Sequence, residues 1–511
     1  MSWREGYVTE IDYIKPLCRE QNPAWLSMAA LWAGVQAPRI DAEFTLLELG
    51  CGHGTGALLA AALFPQARFF ANDFMPAHVE SATRLRDDAR LDNLTILPDS
   101  FAELAQRDDL PACDFIVAHG VFSWVSAENQ ACIMEIVRRL LKPGGLFYVS
   151  YNSAVGWAGM SSLRQLLMEL VEQDQGPLQE RMQRALDMAA RFASSGPGIP
   201  ALDRLGYQLQ ALRAHDPVYL VHEYLNRHWQ PIYPSDMQRR MSGAGLEFVG
   251  SAHLFNNVAG MAVPPMLQPF MAEHAAEPVR ELFVDMVADR AFRCDIYGRD
   301  VRPLSNAAER RHAVRFLASN NRQPDNPVID MHGLGFLPEP TCRAAILDRL
   351  AQSAASYAEL AALPGMPGPE QTLATLTAML QGGQIFAVPA EMPASLQSTQ
   401  SLNRALLERA RRGVASGFLV APAIAAASTA GLLDMLFVGA TIDKAPDLAE
   451  RVWQDIAALG TPVPWHDGPI AADSDGLARL RTLSARFTRD LLPWLGRYGI
   501  IPDTGSGIRE G

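Results

Sequence analysis

A glycine-rich loop at residues 46–56, with the sequence LLELGCGHGTG, constrains the fold of this chain more than any other feature. Residues 45–49 are short and apolar, so they predict a buried strand that leads into the loop. Gly50, Gly52 and Gly54 permit a tight turn and let a ligand approach the main chain. The residues after the loop predict a helix, whose first amide groups would face such a ligand. We therefore expect a ligand site where the first strand ends.

The chain then continues as an alternation of apolar strands and helices. These elements are predicted in the order strand, helix, strand, strand, helix, strand at residues 68–71, 76–88, 94–97, 114–118, 127–141 and 146–151. Such an alternation predicts an α/β fold with a doubly wound, mostly parallel sheet and helices on both faces. Asp73 ends the second strand, and in nucleotide-binding sheets an acid about 20 residues after the loop accepts hydrogen bonds from ribose hydroxyls.

Two classes of cofactor are bound by glycine loops of this kind. Dinucleotides require G-x-G-x-x-G, and the third glycine would fall on Thr55 when counted from Gly50, or on Ala57 when counted from Gly52. The observed G-x-G-x-G, with Glu48 two residues before its first glycine, instead resembles motif I of class I S-adenosylmethionine-dependent methyltransferases. The resemblance implies a Rossmann-like fold with S-adenosyl-L-methionine as the cofactor. It also implies that Glu48 organises the loop and the amino-acid end of the cofactor.

Other segments follow in the order of that family. Asp99 lies just beyond the third strand, where the family contacts adenine. The sequence AHGVFSW ends the fourth strand, and LKPGG precedes the fifth. The cofactor-binding residues that the resemblance implies are Tyr7, Tyr13, Glu48, Gly50, Cys51, Gly52, Gly54, Asp73, Phe74, Asp99, Ser100, Phe101, His119 and Gly120.

Three longer segments resemble one bacterial group more closely. They are DFIVAHGVFSWV at 114–125, LFYVSYNSAVGW at 146–157 and YLVHEYL at 219–225. They are similar to methyltransferases with a methyltransferase regulatory domain, a family that includes the rickettsial protein-lysine methyltransferases. The resemblance runs through essentially the whole chain. It implies a catalytic domain, a middle domain over the active site and a C-terminal helical domain, in a homodimer that methylates lysine side chains of proteins.

The domain boundaries expected from these patterns overlap at the end of the catalytic sheet. They are 1–44 for an aromatic helical arm, 45–255 for the cofactor-binding domain with a helical insert at 156–215, 218–338 for the middle regulatory domain, 339–390 for a winged-helix-like unit and 391–511 for a helical domain.

A lysine acceptor must be neutral to attack, and its free pKa is about 10.4. An apolar, aromatic pocket would lower that pKa by disfavouring the ammonium. His119 could accept a proton or bridge to the cofactor, and Asn152 could orient the amine. The predicted catalytic residues are His119, Asn152 and Tyr151, and the predicted substrate-binding residues are Trp124, Trp157, His222, Glu223, Tyr224 and Tyr233. The alternative for each is an ordinary structural role, in the core or as a surface pair.

The sequence departs from its family at four places. Many members have an acidic residue at the place of His53 and Asn at the place of Gly56, where changes could alter cofactor affinity. A proline is replaced by Val155, and a Tyr-Phe pair becomes Tyr233-Pro234. The last two changes lie where substrate is expected, so the substrate could differ from the best-known one.

Three other functions stay open on the sequence. The acceptor could be a small molecule or a peptide natural product, because the insert carries no readable motif. The chain could also be a non-catalytic scaffold, although the intact motif residues argue against it. DNA binding by the unit at 339–390 is disfavoured, since the candidate recognition helix EQTLATLTAML has no Lys or Arg.

Composition narrows the remaining classes. The net charge is 44 − 56 = −12, which argues against a nucleic-acid partner. The six cysteines form no CxxC pair, so we expect reduced thiols of a cytoplasmic protein and no metal site. The N-terminus lacks the apolar stretch of a signal peptide. The apolar run at 417–433 is short and interrupted, so a buried segment is expected there rather than membrane insertion.

Overall fold

The computed structural model describes residues 17–213, 215–258, 260–274, 279–319, 338–388 and 396–501, and the backbone of 3–4, 7–8, 329–331 and 334–336. Within these residues the largest sheet has seven strands. They are β1 (Thr45–Leu49), β2 (Arg68–Asn72), β3 (Leu94–Leu97), β4 (Cys113–Ala118), β5 (Leu141–Asn152), β6 (Glu247–Ser251) and β7 (Phe292–Gly298). Their spatial order is β3-β2-β1-β4-β5-β7-β6, and the β7 pairings with β5 and β6 are antiparallel whereas the others are parallel. The predicted α/β, doubly wound, mostly parallel fold is confirmed.

Helices cover both faces of this sheet because its central strands are buried on both sides. One face carries α1 (Pro23–Trp32), α2 (Thr55–Leu63) and α3 (Pro76–Ala89). The other face carries α4 (Phe101–Gln106), α5 (Ala127–Leu140) and a later helix, Pro234–Gly243. Each face therefore has its own hydrophobic core.

A helical insert follows β5. Its helices are α6 (Ala154–Trp157), α7 (Ser161–Glu172), α8 (Leu178–Ser194), α9 (Pro200–Leu212) and α10 (Pro217–Tyr224). They enclose a third core of their own, built from residues such as Leu167, Met182 and Leu209. After α10, Ile232 bridges to Ser153, and its amide donates to the carbonyl of Asn152 at 2.8 Å, so the insert returns across the end of β5.

The chain beyond α10 adds a second set of elements. Its helices are α11 (Pro234–Gly243), α12 (Gln268–His274), α13 (Val279–Ala288), α14 (Ala307–His312), α15 (Pro340–Gln352), α16 (Tyr357–Ala361), α17 (Pro369–Gln381), α18 (Leu396–Ala410), α19 (Leu432–Ile442), α20 (Leu448–Leu459), α21 (Ser474–Arg486) and α22 (Leu492–Arg497). Its strands are β8 (Arg315–Ala318), β9 (Ile329–Met331), β10 (Leu334–Phe336), β11 (Ala355–Ser356), β12 (Ile385–Val388), β13 (Phe418–Ala421) and β14 (Ala426–Thr429). A strand pair, Trp3–Arg4 with Tyr7–Val8, lies near the N-terminus.

Three features differ from the sequence expectations. Strand β7 was not predicted, although it adds a segment from 292–298 to the catalytic sheet, well beyond the expected boundary at 255. Strand β5 begins five residues before its predicted start at 146. Strands β11 and β12 of the unit at 339–390 form a three-stranded sheet with β8, which lies before that unit in the chain. These segments are defined by partners that are distant in sequence, which local pattern does not reveal.

The candidate recognition helix of the winged-helix-like unit is α17. Most of its second half is buried, from Thr375 to Leu380, with α17 contacting the loop at 254–257 and β9. This burial disfavours insertion of α17 into a DNA groove. The apolar run at 417–433 forms the β13–β14 hairpin and the start of α19. Among the described residues, no helix is long and apolar enough to cross a membrane.

Candidate active site

A cavity of about 430 Å³ opens at the carboxyl ends of the parallel strands. The cavity has two ends. The first, which we call the cofactor end, is lined by residues that follow β1, β2, β3 and β4. The second, the acceptor end, is lined by residues of the β4–α5 loop, the end of β5, α6, α10 and the start of β7. Ligands of doubly wound sheets bind at this edge, so the cavity lies where the fold predicts a site.

The glycine loop shapes the cofactor end. Gly50 and Gly52 have φ of 68° and 55°, a region that non-glycine residues rarely adopt. A Cβ on Gly50 would lie 2.5 Å from Val121 Cγ2, so that position has no room for a side chain. A Cβ on Gly52 would meet nothing within 4 Å, because this glycine faces the open cavity. A ligand can therefore approach the backbone at Gly52.

Asp73 organises the loop from the end of β2. Its carboxylate accepts hydrogen bonds from the amide of Gly52 at 2.8 Å and from the amide of Met75 at 2.9 Å. His78 Nδ1 lies 3.2 Å from the same carboxylate. Asp73 is buried at the cavity wall. A ribose hydroxyl at this place would find an oriented acceptor.

Glu48 is buried at the base of the cofactor end, and its carboxylate lies beside the first turn of α2. Burial, with a smaller contribution from the nearby negative charge of Asp73, raises the pKa of this carboxyl to about 8. A hydrogen bond from the amide of Ala57 acts in the opposite direction. The site therefore favours a proton, or a positive charge on a ligand, next to Glu48.

The residues that follow β3 form the wall where the sequence resemblance predicts adenine contact. Asp99, Ser100 and Phe101 all line the cavity. Asp99 is held by Arg107, whose Nη1 lies 3.0 Å from its carboxylate. Ser100 begins α4 with a reciprocal pair of hydrogen bonds to Glu103, which fixes the direction of the helix.

His119 lies where β4 ends, between the two ends of the cavity. Its Nδ1 is 2.8 Å from the hydroxyl of Tyr148, and its ring packs edge-on against Phe292. Burial lowers the pKa of His119 to about 4, although the charge of Glu20 raises it slightly. The ring is therefore neutral at physiological pH. The next residue, Gly120, has φ of 64° and donates its amide to Ser150 Oγ at 2.7 Å.

The acceptor end combines aromatic walls with a few polar groups. Trp124 and Trp157 line it, as do Asn152, His222 and Glu223. The Asn152 side chain lies beside the Glu223 carboxylate. Burial raises the pKa of Glu223 to about 7, while hydrogen bonding by the Asn152 side chain lowers it. The two side chains therefore form one polar group in an otherwise aromatic wall.

Several sequence-predicted residues lie away from the cavity. Tyr151 is 1% exposed and its hydroxyl donates to Asp295 at 2.7 Å, within a buried ion cluster around Arg293. The structure thus does not support its predicted catalytic role, because side chains alternate along β5 and only Asn152 faces the site. Tyr224 packs against Trp157, with ring centroids 5.6 Å apart.

The remaining predicted residues have different outcomes. Tyr233 is 46% exposed in front of α11 and does not line the cavity. Gly54, with φ of 73°, caps α2 without lining the cavity; a Cβ there would lie 2.8 Å from Ala82 Cβ. The side chain of Tyr7 and the whole of Tyr13 lie outside the described residues. Cys51, in the glycine loop, and Phe74, after β2, both line the cavity.

The structure also adds residues that the sequence interpretation missed. Near the cofactor end they are Cys18, Gln21, His53 and His78, and near the acceptor end they are Tyr219, Asn226 and Phe292. His78 had a usable signal, since it lies five residues after Asp73 at the start of a predicted helix. Phe292 had none, because β7 was not predicted.

The departures at His53 and Gly56 have structural counterparts. The His53 ring lies against the His78 ring, with centroids 4.5 Å apart, next to Asp73. A Cβ on Gly56 would lie 2.7 Å from Gln21 Oε1 and 3.2 Å from Glu48 Oε1. In this chain, Gln21 thus fills the space that a side chain at position 56 would need.

Comparisons with known proteins identify the domains that build this cavity. Residues 40–192 match a family model described as "Methyltransferase domain", and residues 216–299 match one described as "Predicted methyltransferase regulatory domain". PKMT2 from Rickettsia typhi has the same fold, with a TM-score of 0.69, 17% identity and coverage of 96% of this chain and 99% of that chain. A second structure of it, in complex with AdoHcy, has a TM-score of 0.66, 17% identity and coverage of 93% and 99%.

Among curated proteins, an uncharacterized protein from Synechocystis is 27% identical over 98% of this chain and 100% of its own length. A trans-aconitate 2-methyltransferase from Methylobacterium radiotolerans is 34% identical, but over only 22% of this chain and 38% of its own length.

The fold, the glycine loop and the acids that follow β2 and β3 together define a class I methyltransferase whose cofactor is S-adenosyl-L-methionine. Within that class, the chain combines a methyltransferase domain at residues 40–192 with a methyltransferase regulatory domain at residues 216–299, the combination that the sequence resemblance implied.

Proposed function

We propose that the protein transfers a methyl group from S-adenosylmethionine to the side-chain nitrogen of lysine residues in a protein. The observation that carries this proposal is the acceptor end of the cavity, where Glu223 and the neighbouring Asn152 side chain lie between aromatic residues. A carboxylate suits a cationic amine, and indole faces attract an ammonium. An acidic acceptor such as a carboxylic acid would meet the negative charge of Glu223 instead.

The residues of the cavity divide the work. Bound cofactor supplies a methyl group activated by its sulfonium. The loop around Gly52, Asp73 and Asp99 would hold it, and Glu48 would lie at its amino-acid end, consistent with the positive charge carried there. Positioning of the two reactants supplies most of the rate in such a displacement.

The acceptor amine must lose a proton before it reacts. Glu223 lies in the acceptor wall with a pKa of about 7, so near neutral pH it exists in both forms and can accept a proton from an ammonium. The freed amine nitrogen then forms a bond to the methyl carbon as the carbon–sulfur bond breaks. The products are a methylated ammonium and a neutral thioether. Neutral His119 and Asn152 would orient the amine.

A labelling experiment tests this proposal. Purified protein is incubated with methyl-labelled S-adenosylmethionine and a bacterial extract, and the label is separated into protein and small-molecule fractions. We expect label in protein, recovered as N-methyl-lysine after acid hydrolysis. Label in small molecules or short peptides would instead assign a metabolite or peptide natural-product acceptor. Absence of any S-adenosylhomocysteine binding by calorimetry would assign a non-catalytic scaffold.

A matched pair of variants ties the activity to the acceptor end. Glu223→Gln keeps the size of the side chain but removes its charge and its ability to accept a proton, so we expect kcat/KM for the acceptor to fall at least about tenfold. Glu359→Gln changes a carboxylate in the distant unit at 339–390 and serves as the control. Equal activity of both variants would remove Glu223 from the proposed mechanism.

The homodimer, the cytoplasmic location and the domain boundaries are also part of this proposal. Their support is the resemblance to the family, together with the match of residues 216–299 to the regulatory domain. The molar mass of the full chain in solution, measured by light scattering, tests the dimer. The mass of a monomer alone would contradict it.

A further inference from the structure

We propose that the C-terminal half of the chain positions one wall of the cofactor cavity, through Arg19 and Asn22. The wall segment, residues 18–22, lies before α1, and its Cys18 and Gln21 both line the cavity. The proposal assigns Arg19 and Asn22 a positioning role in cofactor binding. It does not depend on the identity of the methyl acceptor.

The wall segment contacts both the glycine-loop region and the middle of the cavity. Gln21 Oε1 lies 2.7 Å from where a Cβ on Gly56 would be, at the first turn of α2. Cys18 Sγ lies 3.5 Å from His119 Nδ1 and donates to Glu20 at 3.0 Å. A displacement of this segment would therefore change the shape of the cofactor end.

Arg19 anchors the segment to α17. Its Nη1 donates to the carbonyl of Leu380 at 3.1 Å and its Nη2 to the carbonyl of Gln381 at 2.7 Å. These are carbonyls of the last helical turn, which carry partial negative charge and favour a cation. The guanidinium also lies over the ring of Trp25, 4.4 Å from its centroid. The planar fork of arginine matches two adjacent carbonyls, which lysine could not contact in the same way.

Asn22 anchors the other end of the segment to the β13–β14 hairpin. Its Oδ1 accepts from the amide of Ala24 at 2.9 Å and begins α1. Its Nδ2 donates to the carbonyl of Ala425 at 2.8 Å. Ala425 has φ of 45°, a left-handed conformation that residues other than glycine rarely adopt. The hairpin thus adopts an unfavourable turn at the point where Asn22 binds it.

Other contacts join the two halves without touching the wall segment. The indole nitrogen of Trp32 donates to Thr377 Oγ1 at 2.9 Å, on the same helix α17. Ser398 Oγ donates to the carbonyl of Ala62 at 2.7 Å, and α18 packs on α2 and α3. These contacts hold the halves together, so the bonds of Arg19 and Asn22 can be removed separately.

Binding of S-adenosylhomocysteine to full-length variants, measured by calorimetry, tests the proposal. Arg19→Ala should raise its Kd about tenfold, because the anchor of the wall is lost, and Arg19→Lys should recover part of the affinity. Asn22→Asp keeps the acceptor that begins α1 but removes the donor to Ala425, and it should raise the Kd about fivefold. Turnover at saturating cofactor should stay within about twofold of the wild type, since the acceptor end is unchanged.

Thr377→Val is the matched control. It removes a hydrogen bond between the same two halves, on the same helix as Leu380, but away from residues 18–22. We expect wild-type Kd for this variant. The proposal is overturned if Arg19→Lys and Asn22→Asp bind with wild-type Kd, or if Thr377→Val weakens binding as much as they do. Should Arg19→Ala fail to fold, these milder variants carry the test.

Discussion

The two ends of the cavity are assembled differently from the chain. The cofactor end is built mainly by consecutive strand ends, from Glu48 through Asp73 and Asp99 to His119, and these follow one another in sequence. The acceptor end gathers Trp124, Asn152, Trp157, Glu223 and Phe292 from five separate segments. One continuous part of the chain, from Glu48 to His119, thus supplies most of the cofactor site. The acceptor site instead depends on how segments that are distant in sequence pack together.

Two carboxylates of the cavity, one at each end, are held differently. At the cofactor end Asp73 accepts hydrogen bonds from two backbone amides and lies next to His78. At the acceptor end Glu223 is half-buried beside the Asn152 side chain, and its pKa of about 7 leaves it able to exchange a proton. Glu48, also at the cofactor end, resembles Glu223 in that burial raises its pKa. A carboxylate anchored by backbone amides suits rigid binding, and a carboxyl group with a raised pKa suits proton transfer.

The largest expected effect concerns Asp73. Asp73→Ala removes the acceptor of two backbone amides and the predicted ribose contact, so we expect the Kd for S-adenosylhomocysteine to rise about 100-fold or more, equivalent to roughly 3 kcal/mol. Calorimetry measures it. Asp475→Ala, at the exposed start of α21, is the control. Unchanged affinity would refute the ribose assignment and the contrast between the two ends.

The next effect concerns the protonation of Glu48. Its pKa is about 8 in the folded protein and about 4.5 when exposed, so between these pH values the folded state binds one more proton than the unfolded state. The contribution of Glu48 to the free energy of unfolding of the cofactor-free protein should therefore be greatest below about pH 4.5. It should fall by about 1.4 kcal/mol per pH unit as the pH rises towards 8.

Glu48→Gln should remove this loss. Between pH 5 and pH 7 the difference in stability between the variant and the wild type should grow by about 2–3 kcal/mol in favour of the variant. Unfolding of both proteins without cofactor, at pH 5, 6 and 7, measures the difference. Parallel pH profiles would show that Glu48 is ionised in the folded state.

A smaller effect is expected at His119, between the two ends. His119→Ala should lower turnover about tenfold, because a neutral group that orients the acceptor is lost, while the Kd for S-adenosylhomocysteine changes by less than about threefold. His119→Gln keeps a hydrogen-bonding group and should be less affected. Kinetics at saturating cofactor distinguish the two quantities, and wild-type turnover of His119→Ala would exclude it from the acceptor end.

The smallest effect is expected at Tyr151. Tyr151→Phe removes a hydroxyl that binds Asp295 on the far side of β5, so kcat and KM should stay within about twofold of the wild type. Stability should fall by about 1 kcal/mol, as for the loss of one buried hydrogen bond. A large loss of turnover would instead show that Tyr151 acts in catalysis, although its side chain lies on the face of β5 away from the cavity.

Much of the fold followed from local pattern. The bounds of β1 and β3 coincide with the predicted ones, and β2 and β4 differ by one residue, because buried parallel strands are short apolar runs between turns. Strand β7 was missed because it pairs antiparallel with β5, whose end lies 140 residues before it (292 − 152). Nothing within the segment at 292–298 identifies that partner.

The site divides in the same way. The predicted cofactor residues from Glu48 to Gly120 all line the cavity except Gly54, which caps α2. At the acceptor end, Asn152, Trp124, Trp157, His222 and Glu223 line the cavity, but Tyr151, Tyr224 and Tyr233 do not. The side chain of an aromatic residue near the site can face the cavity or point away from it, and the tertiary packing decides which.

The sequence by itself determined the glycine loop, the acids after β2 and β3 and the alternation of strands and helices up to β5, because local turns and short-range hydrophobic pattern encode them. Only the tertiary structure decided which residues meet at the acceptor end, and that residues 18–22 are held by α17 and the β13–β14 hairpin. Those contacts join positions separated by 361, 362 and 403 residues. Their geometry depends on the packing of whole domains, which no local stretch of sequence specifies.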